Sequence, residues 1–227
     1  MPTEPKDGKA PSQSHRATTE LREMIVNNRL PPGSSYLESE LAEMLGMSRT
    51  PVREAVLVLE AQGLLEVRPR RGIRVLPLRA HDMSEIYEIL TELEGLAAHN
   101  AAERDLSPEE LASLESSLEQ MEEAIRKGDR AAWAEADKRF HDRLVALSGN
   151  ERLVSLVDSY NDQVHRARIL TLNLRPLPEK SNREHRELFE AIRKGDAAAA
   201  RRIHTHHRDG ARKLIVDLLQ KLGFHQV

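Results

Sequence analysis

Apolar residues recur at intervals of three and four along most of this 227-residue chain, and strict alternation is confined to one short stretch. Leu111, Leu114, Leu118, Met121 and Ile125 follow a 3-4-3-4 spacing, which lines one face of a helix. The same period predicts helices over 16–28, 36–45 and from Ser48 to Gly63, the last turning Val52, Ala55, Val56 and Leu59 inward. From "HDMSEIYEIL" onward every segment reads as helix, with further helices over about 129–147, 151–173, 181–193 and 197–222. Strand alternation appears only in "LLEVRPRRGIRVLPL", two runs around a "PRRG" turn, which is a hairpin pattern.

The helix boundaries carry their own signals. "RLPPGS" stops the first helix, and Ser35 with Glu38 forms an S-x-x-E capping box for the next, which Gly46 closes. Ser107-Pro108-Glu109-Glu110 is a second capping box with proline in the first turn. "EAIRKGD" occurs at 123–129 and again at 190–196. The flanking apolar patterns differ, so it reads as repeated Gly-Asp stop-and-restart chemistry and not as a repeat architecture.

Helix, tight turn, helix, hairpin is the order of a winged helix-turn-helix. Arg49 and Arg53 stand four apart on the outer face of its second helix, at the end that enters a major groove, where the arginine fork matches guanine edges. Arg68, Arg70, Arg71 and Arg74 cluster on the hairpin and suit phosphates or a minor groove. Over 44–75 there are six basic and three acidic residues, in a chain whose net charge is −3. That overall charge argues against a uniform basic coat and leaves this local patch as the nucleic-acid signal. Aromatics make up only 3%, too few for base-stacking platforms.

Histidines supply the second chemistry. Asp137 and His141 lie four apart in "EADKRFHDRL", inside the apolar stripe of Trp133, Phe140, Leu144 and Leu147. A buried carboxylate needs a positive partner. His185 shares a face with Leu188, Phe189 and Ile192, and His207 lies in line with Ile203, Ala211, Leu214 and Leu218. Four ligand-type residues on three helices thus point inward. They suit a divalent transition metal, zinc first and nickel or manganese next, or they are hydrogen-bonded core residues. Cysteine is absent, which excludes disulfides and thiolate metal sites and is compatible with a reducing cytoplasm. No run of 18 apolar residues exists, so no membrane span is expected. The first 13 residues read as a disordered tail without the apolar stretch of a signal peptide.

"ESELAEMLGMSRTPVREAVLVLEAQGLLEVRPRRGIRV" resembles the DNA-binding domain of GntR-type transcription regulators. The resemblance implies that Arg49, Thr50 and Arg53 contact operator bases or phosphates, with the wing near Arg70, Arg71 and Gly72 in the minor groove. Ser39 stands where the family usually places a basic residue. The helical region resembles the FadR-type ligand-binding domain of the same family. Metal-binding relatives carry D-x-x-x-H, then E-H, then a histidine on the last helix. Asp137, His141, His185 and His207 match these positions, and His207 fits the last better than His204 or His206. Leu90 stands where many relatives carry an arginine that grips an effector carboxylate.

The expected architecture is mainly α. A winged helix-turn-helix with a small β-hairpin wing spans 14–78, and an all-helical bundle for effector, metal and dimerisation spans 80–223. The expected function is a cytoplasmic homodimeric regulator, a repressor, that binds a double-stranded inverted-repeat operator. Its response would come from a small-molecule effector, a carboxylate being one candidate, bound beside the metal. The main alternative keeps the DNA-binding role with a metal-free pocket for a bulky, acyl-type effector. A metal-dependent enzyme is weaker still, because H-E-x-x-H and paired E-x-x-H motifs are absent.

Overall fold

Ser12 caps the first helix by accepting from the His15 backbone N–H, so α1 (Gln13–Val26) starts earlier than its apolar stripe requires. This is the start of the part that the computed structural model describes, residues 12–224. The expected N-terminal tail lies, over residues 1–11, outside the described residues. Two compact units divide between Pro77 and Leu78.

In the first unit, α1, α2 (Glu38–Leu45) and α3 (Arg49–Ala61) bury Leu21, Ile25, Leu41, Val52, Val56 and Leu59 together. The inward residues of α3 are the four that periodicity assigned. The capping box at Ser35 and Glu38 is corrected. Leu37 is the cap residue, and its N–H donates to the Glu40 carboxylate at 2.7 Å. Ser35–Tyr36 instead form a two-residue strand, β1. It pairs antiparallel with β3 (Gly72–Val75), which pairs in turn with β2 (Leu65–Arg68). The expected hairpin is therefore the larger part of a three-stranded sheet, and pairing across the sheet outweighed a local signal. β1 also explains Gly72. At φ +82° it passes so close to Tyr36 that a Cβ would sit 2.4 Å from that carbonyl oxygen.

Among its described residues the second unit is helical throughout. It contains α4 (Ala80–Glu103), α5 (Pro108–Lys127), α6 (Arg130–Leu147), α7 (Glu151–Thr171), a 3₁₀ turn (Leu172–Leu174), α8 (Glu179–Arg193) and α9 (Ala197–Lys221). Ser107 and Glu110 form the full reciprocal box at the start of α5. Both Gly-Asp pairs work as stop and restart. Gly128 and Gly195 take left-handed φ, while Asp129 and Asp196 accept from Ala132 and Ala199 to open α6 and α9.

Leu114, Leu118 and Met121 of α5 are buried with Phe140, Leu188 and Phe189. A second cluster joins Tyr87, Leu90, Val157, Ile215 and Leu219. The α9 stripe is rotated from its expected position. Leu214 is exposed and Leu218 half-buried, while His204, Arg208, Ile215 and Leu219 form the buried line. α4 and α9 approach closely at Gly95, where a Cβ would lie 2.9 Å from Thr205 Oγ1 and would require that side chain to shift.

Candidate functional site

On the first unit, Arg49, Thr50 and Arg53 are exposed at the start of α3. The two guanidiniums are not loose. Glu38, at the start of α2, accepts from Arg49 Nε at 3.1 Å and Arg53 Nε at 3.0 Å. Both arginine side chains stay about two-thirds exposed, at 65% and 66%. Glu38 therefore aligns two forks side by side and leaves their outer edges to a ligand. Arg70 and Arg71 are exposed in the turn between β2 and β3, whereas Arg68 and Arg74 are half-buried. Arg68 pairs with Glu66.

In the second unit, α6 supplies Asp137 and His141, α8 supplies His185, and α9 supplies His207, all buried. One ligand atom from each lies within 4.8 Å of the others. Nε2 of His141 and of His185 are 3.3 Å apart. Asp137 Oδ1 is 3.7 Å from the first and 3.6 Å from the second. Two ligands about 2.0–2.1 Å from one tetrahedral metal are held roughly 3.4 Å apart, so these spacings fit a single ion.

The donor chemistry fits as well. Glu184 accepts from His207 Nδ1 at 2.9 Å, and a carboxylate can only accept. This fixes the tautomer that leaves His207 Nε2 bare, and that atom is buried without a partner. A metal ligand oriented by a carboxylate on its other nitrogen has this arrangement. Burial, reinforced by the neighbouring His207, pushes His185 well below the ordinary imidazole range, and burial also lowers His207 against the pull of Glu184. Both are therefore held neutral, the form that ligates.

The partner of Asp137 is Arg168, whose Nη1 lies 2.5 Å from Oδ2. Burial would raise the Asp137 carboxyl, but Arg168, with His141, holds it well below the usual carboxylate range. Arg166, two residues earlier on α7, does not make this contact to Asp137. Both are withdrawn from solvent, Arg166 at 5% exposure and the Arg168 side chain at 12%.

His204 belongs instead to a second buried cluster, with Glu94 and His141, whose ligand atoms also lie within 4.8 Å of one another. Its Nε2 donates to Glu94 Oε2 at 3.0 Å, and Glu94 also receives a two-pronged contact from Arg208. Glu94 Oε2 lies 3.2 Å from His141 Nδ1, the side of that ring turned away from Asp137. His206 is exposed. Of the three α9 histidines, His207 is the one that joins Asp137, His141 and His185.

A cavity of about 190 Å³ opens on Asp137 and His207. Trp133, Leu172 and Leu214 form part of its wall, and Arg130, Arg175 and Lys180 lie around it.

Residues 13–75 match the bacterial regulatory proteins of the gntR family, and residues 85–210 match the FCD domain. The chain belongs to the GntR family. This GntR-family regulator is 38% identical over 192 residues to YdhC, an HTH-type transcriptional regulator of Bacillus subtilis, covering 83% of the chain and 85% of the relative. It is 29% identical over 187 residues to the HTH-type transcriptional repressor RspR of Escherichia coli, covering 82% of each. Its fold matches that of E. coli McbR/YncC with a TM-score of 0.79 at 24% identity, over 92% of this chain and 99% of the other. It is thus a DNA-binding transcriptional regulator with an FCD domain. No helix among the described residues is long and apolar enough to cross a membrane.

For this GntR-family chain, sequence reasoning missed Glu94, Arg208 and the partnership of Glu38 with Arg49 and Arg53. Glu94 could have been found by the argument that found Asp137. It lies in line with Tyr87, Leu90, Ala97 and Ala98, all buried.

Proposed function

We propose that this chain is a metabolite-responsive repressor. A divalent metal, zinc first, is held by Asp137, His141, His185 and His207, and a small anionic effector bound beside it changes operator affinity. The observation that carries this reading is the bare, buried Nε2 of His207 among three further ligand atoms, at the edge of a cavity. The metal organises four side chains from three helices. An effector reaching it then couples to DNA binding by about 1–3 kcal/mol, as is typical of such switches. The protein acts in the cytoplasm as a homodimer on an inverted repeat, since one winged module reads too few bases for useful specificity. Arg49, Thr50 and Arg53 read the major groove. Arg70, Arg71 and the turn leading to Gly72 meet the backbone or minor groove. The modest cavity and its cationic rim count against a bulky acyl effector.

Elemental analysis of protein purified without an affinity tag tests the metal. Near-stoichiometric divalent metal is expected, and an Asp137→Ala, His185→Ala variant should lose it. A folded native protein that neither carries nor takes up zinc, nickel or manganese would return the histidines to the core.

The DNA reading is tested separately. Arg53→Ala is expected to cost roughly 1–3 kcal/mol in operator binding and to relax specificity at one base position. Unchanged affinity and specificity in a titration against operator variants would remove Arg53 from the interface.

A further inference from the structure

Four cations line the cavity beside the candidate metal centre, namely Arg130, Arg168, Arg175 and Lys180, against two carboxylates, Asp137 and Glu184. The carboxylates are already engaged. Asp137 is held by Arg168, while Glu184 accepts from His207 and lies 3.4 Å from Lys180.

Arg130 and Arg175 are different. Arg130 Nη1 donates to the backbone carbonyls of Arg175 at 2.8 Å and Pro176 at 3.3 Å. Arg175 Nη2 donates to the carbonyl of Arg168 at 2.9 Å. No carboxylate among the described residues pairs with either, and Arg175 Nε is buried without a partner. Carbonyl oxygens fix where a guanidinium sits but do not neutralise it. A partly buried charge placed this way calls for a counter-ion, and an orphaned buried donor calls for an acceptor. Burial, with Arg168 and Arg130 nearby, also pulls the Arg175 guanidinium below its ordinary range, outweighing the opposing pull of Tyr87 and Asp137. A bound anion would relieve that.

We infer that Arg130 and Arg175 form an oxyanion subsite, and that the effector is a small dianion. One anionic group addresses the Asp137–His207 end, and the other is gripped by the two guanidinium forks. This rests on the metal-containing reading for the first group and is independent of it for the second. The arginine fork suits a carboxylate and a phosphate-type group alike, so the shared feature is a second oxyanion. Leu90, where relatives carry an arginine, is fully buried in the apolar core, and the grip comes from the opposite side of the bundle's sequence, the start of α6 and the turn after α7.

The test is calorimetric titration of the zinc-loaded full chain with dicarboxylates from malonate to adipate, with phosphonoacetate, and with butyrate as the monoanion. At least one dianion is expected to bind tenfold or more tightly than butyrate, and its identity tells carboxylate from phosphate-type recognition. Arg175→Gln should bring that ratio close to one. A ratio near one in the native chain, or a ratio preserved in Arg175→Gln, would overturn the subsite. If Arg175→Gln loses butyrate as well, Arg130→Gln decides, because the same ratio must fall there. If zinc does not load, the metal reading fails on its own. Titration of the zinc-free chain then supports the subsite when a dianion binds and Arg175→Gln abolishes it, and overturns it otherwise.

Discussion

Glu94→Ala is expected to destabilise the helical unit by about 3–5 kcal/mol, the range for removing one partner of a buried ion pair. Glu94 has no exposed surface, and Arg208 is 2% exposed against it. Losing the carboxylate leaves a guanidinium in the core with no counter-charge, and it also strips the acceptor from His204 Nε2. The charge is held tightly. Burial would raise the Glu94 carboxyl, yet Arg208, with His141 and His204, keeps it well below the usual carboxylate range. A urea titration reads the loss directly as a lowered midpoint. Replacing both partners, Glu94→Leu with Arg208→Met, should recover most of the stability because no buried charge is left unpaired. It should not recover metal affinity. Glu94 lies beside the outer nitrogen of His141, and loss of such an orienting group weakens metal binding by about 10- to 100-fold. A Glu94→Ala chain within ~1 kcal/mol of native would show that the pair carries little.

The same pair marks how far the sequence could be read. Asp137, His141, His185 and His207 were legible because each breaks an apolar stripe with a ligand-type side chain, and period alone places them inward. Which cation faces Asp137 was not legible, since that depends on the rotation of α7 against α6. Arg166 and Arg168, two residues apart on one helix, are both withdrawn from solvent, and only contact geometry distinguishes their roles. The α9 stripe failed for a related reason. "KLIVDLL" offers apolar residues on adjacent faces, so 214 and 218 look as good as 215 and 219. The choice falls to packing against elements far away in sequence, where Ile215 and Leu219 join Tyr87 and Leu90 of α4. Ser35 shows the limit on the DNA-binding side. S-x-x-E is a sound local signal, but pairing of Ser35 with Arg74 across the sheet competes for the same backbone.

Acid is expected to weaken the metal-stripped protein steeply below about pH 6.5. Burial, opposed by Glu94, pulls His204 down to about 3 in the folded chain, and burial also depresses His185 and His207. Unfolded, each would titrate near 6.5. Below that value the unfolded chain takes up protons that the folded chain refuses. The stability these groups contribute is therefore complete above about 6.5 and is lost as pH falls toward their folded values. A histidine that stays neutral through the interval, as His204 does, contributes a slope of about 1.4 kcal/mol per pH unit, and His185 and His207 steepen the decline in the same direction. Asp137 and Glu94 add to the loss only at lower pH, because their folded values lie below ordinary carboxylate values and their stabilisation persists until those are approached. Urea midpoints measured at half-unit steps from pH 7.5 to 5 would show the decline, and a flat profile across that interval would contradict the buried, neutral assignment. Zinc shifts the same curve. Ligation requires neutral imidazoles, so metal raises the midpoint most at neutral pH and progressively less as protons compete for the ligand nitrogens. His204 lies outside that ligand set, so its share of the acid loss should persist when zinc is bound, separating the core histidine from the proposed ligands.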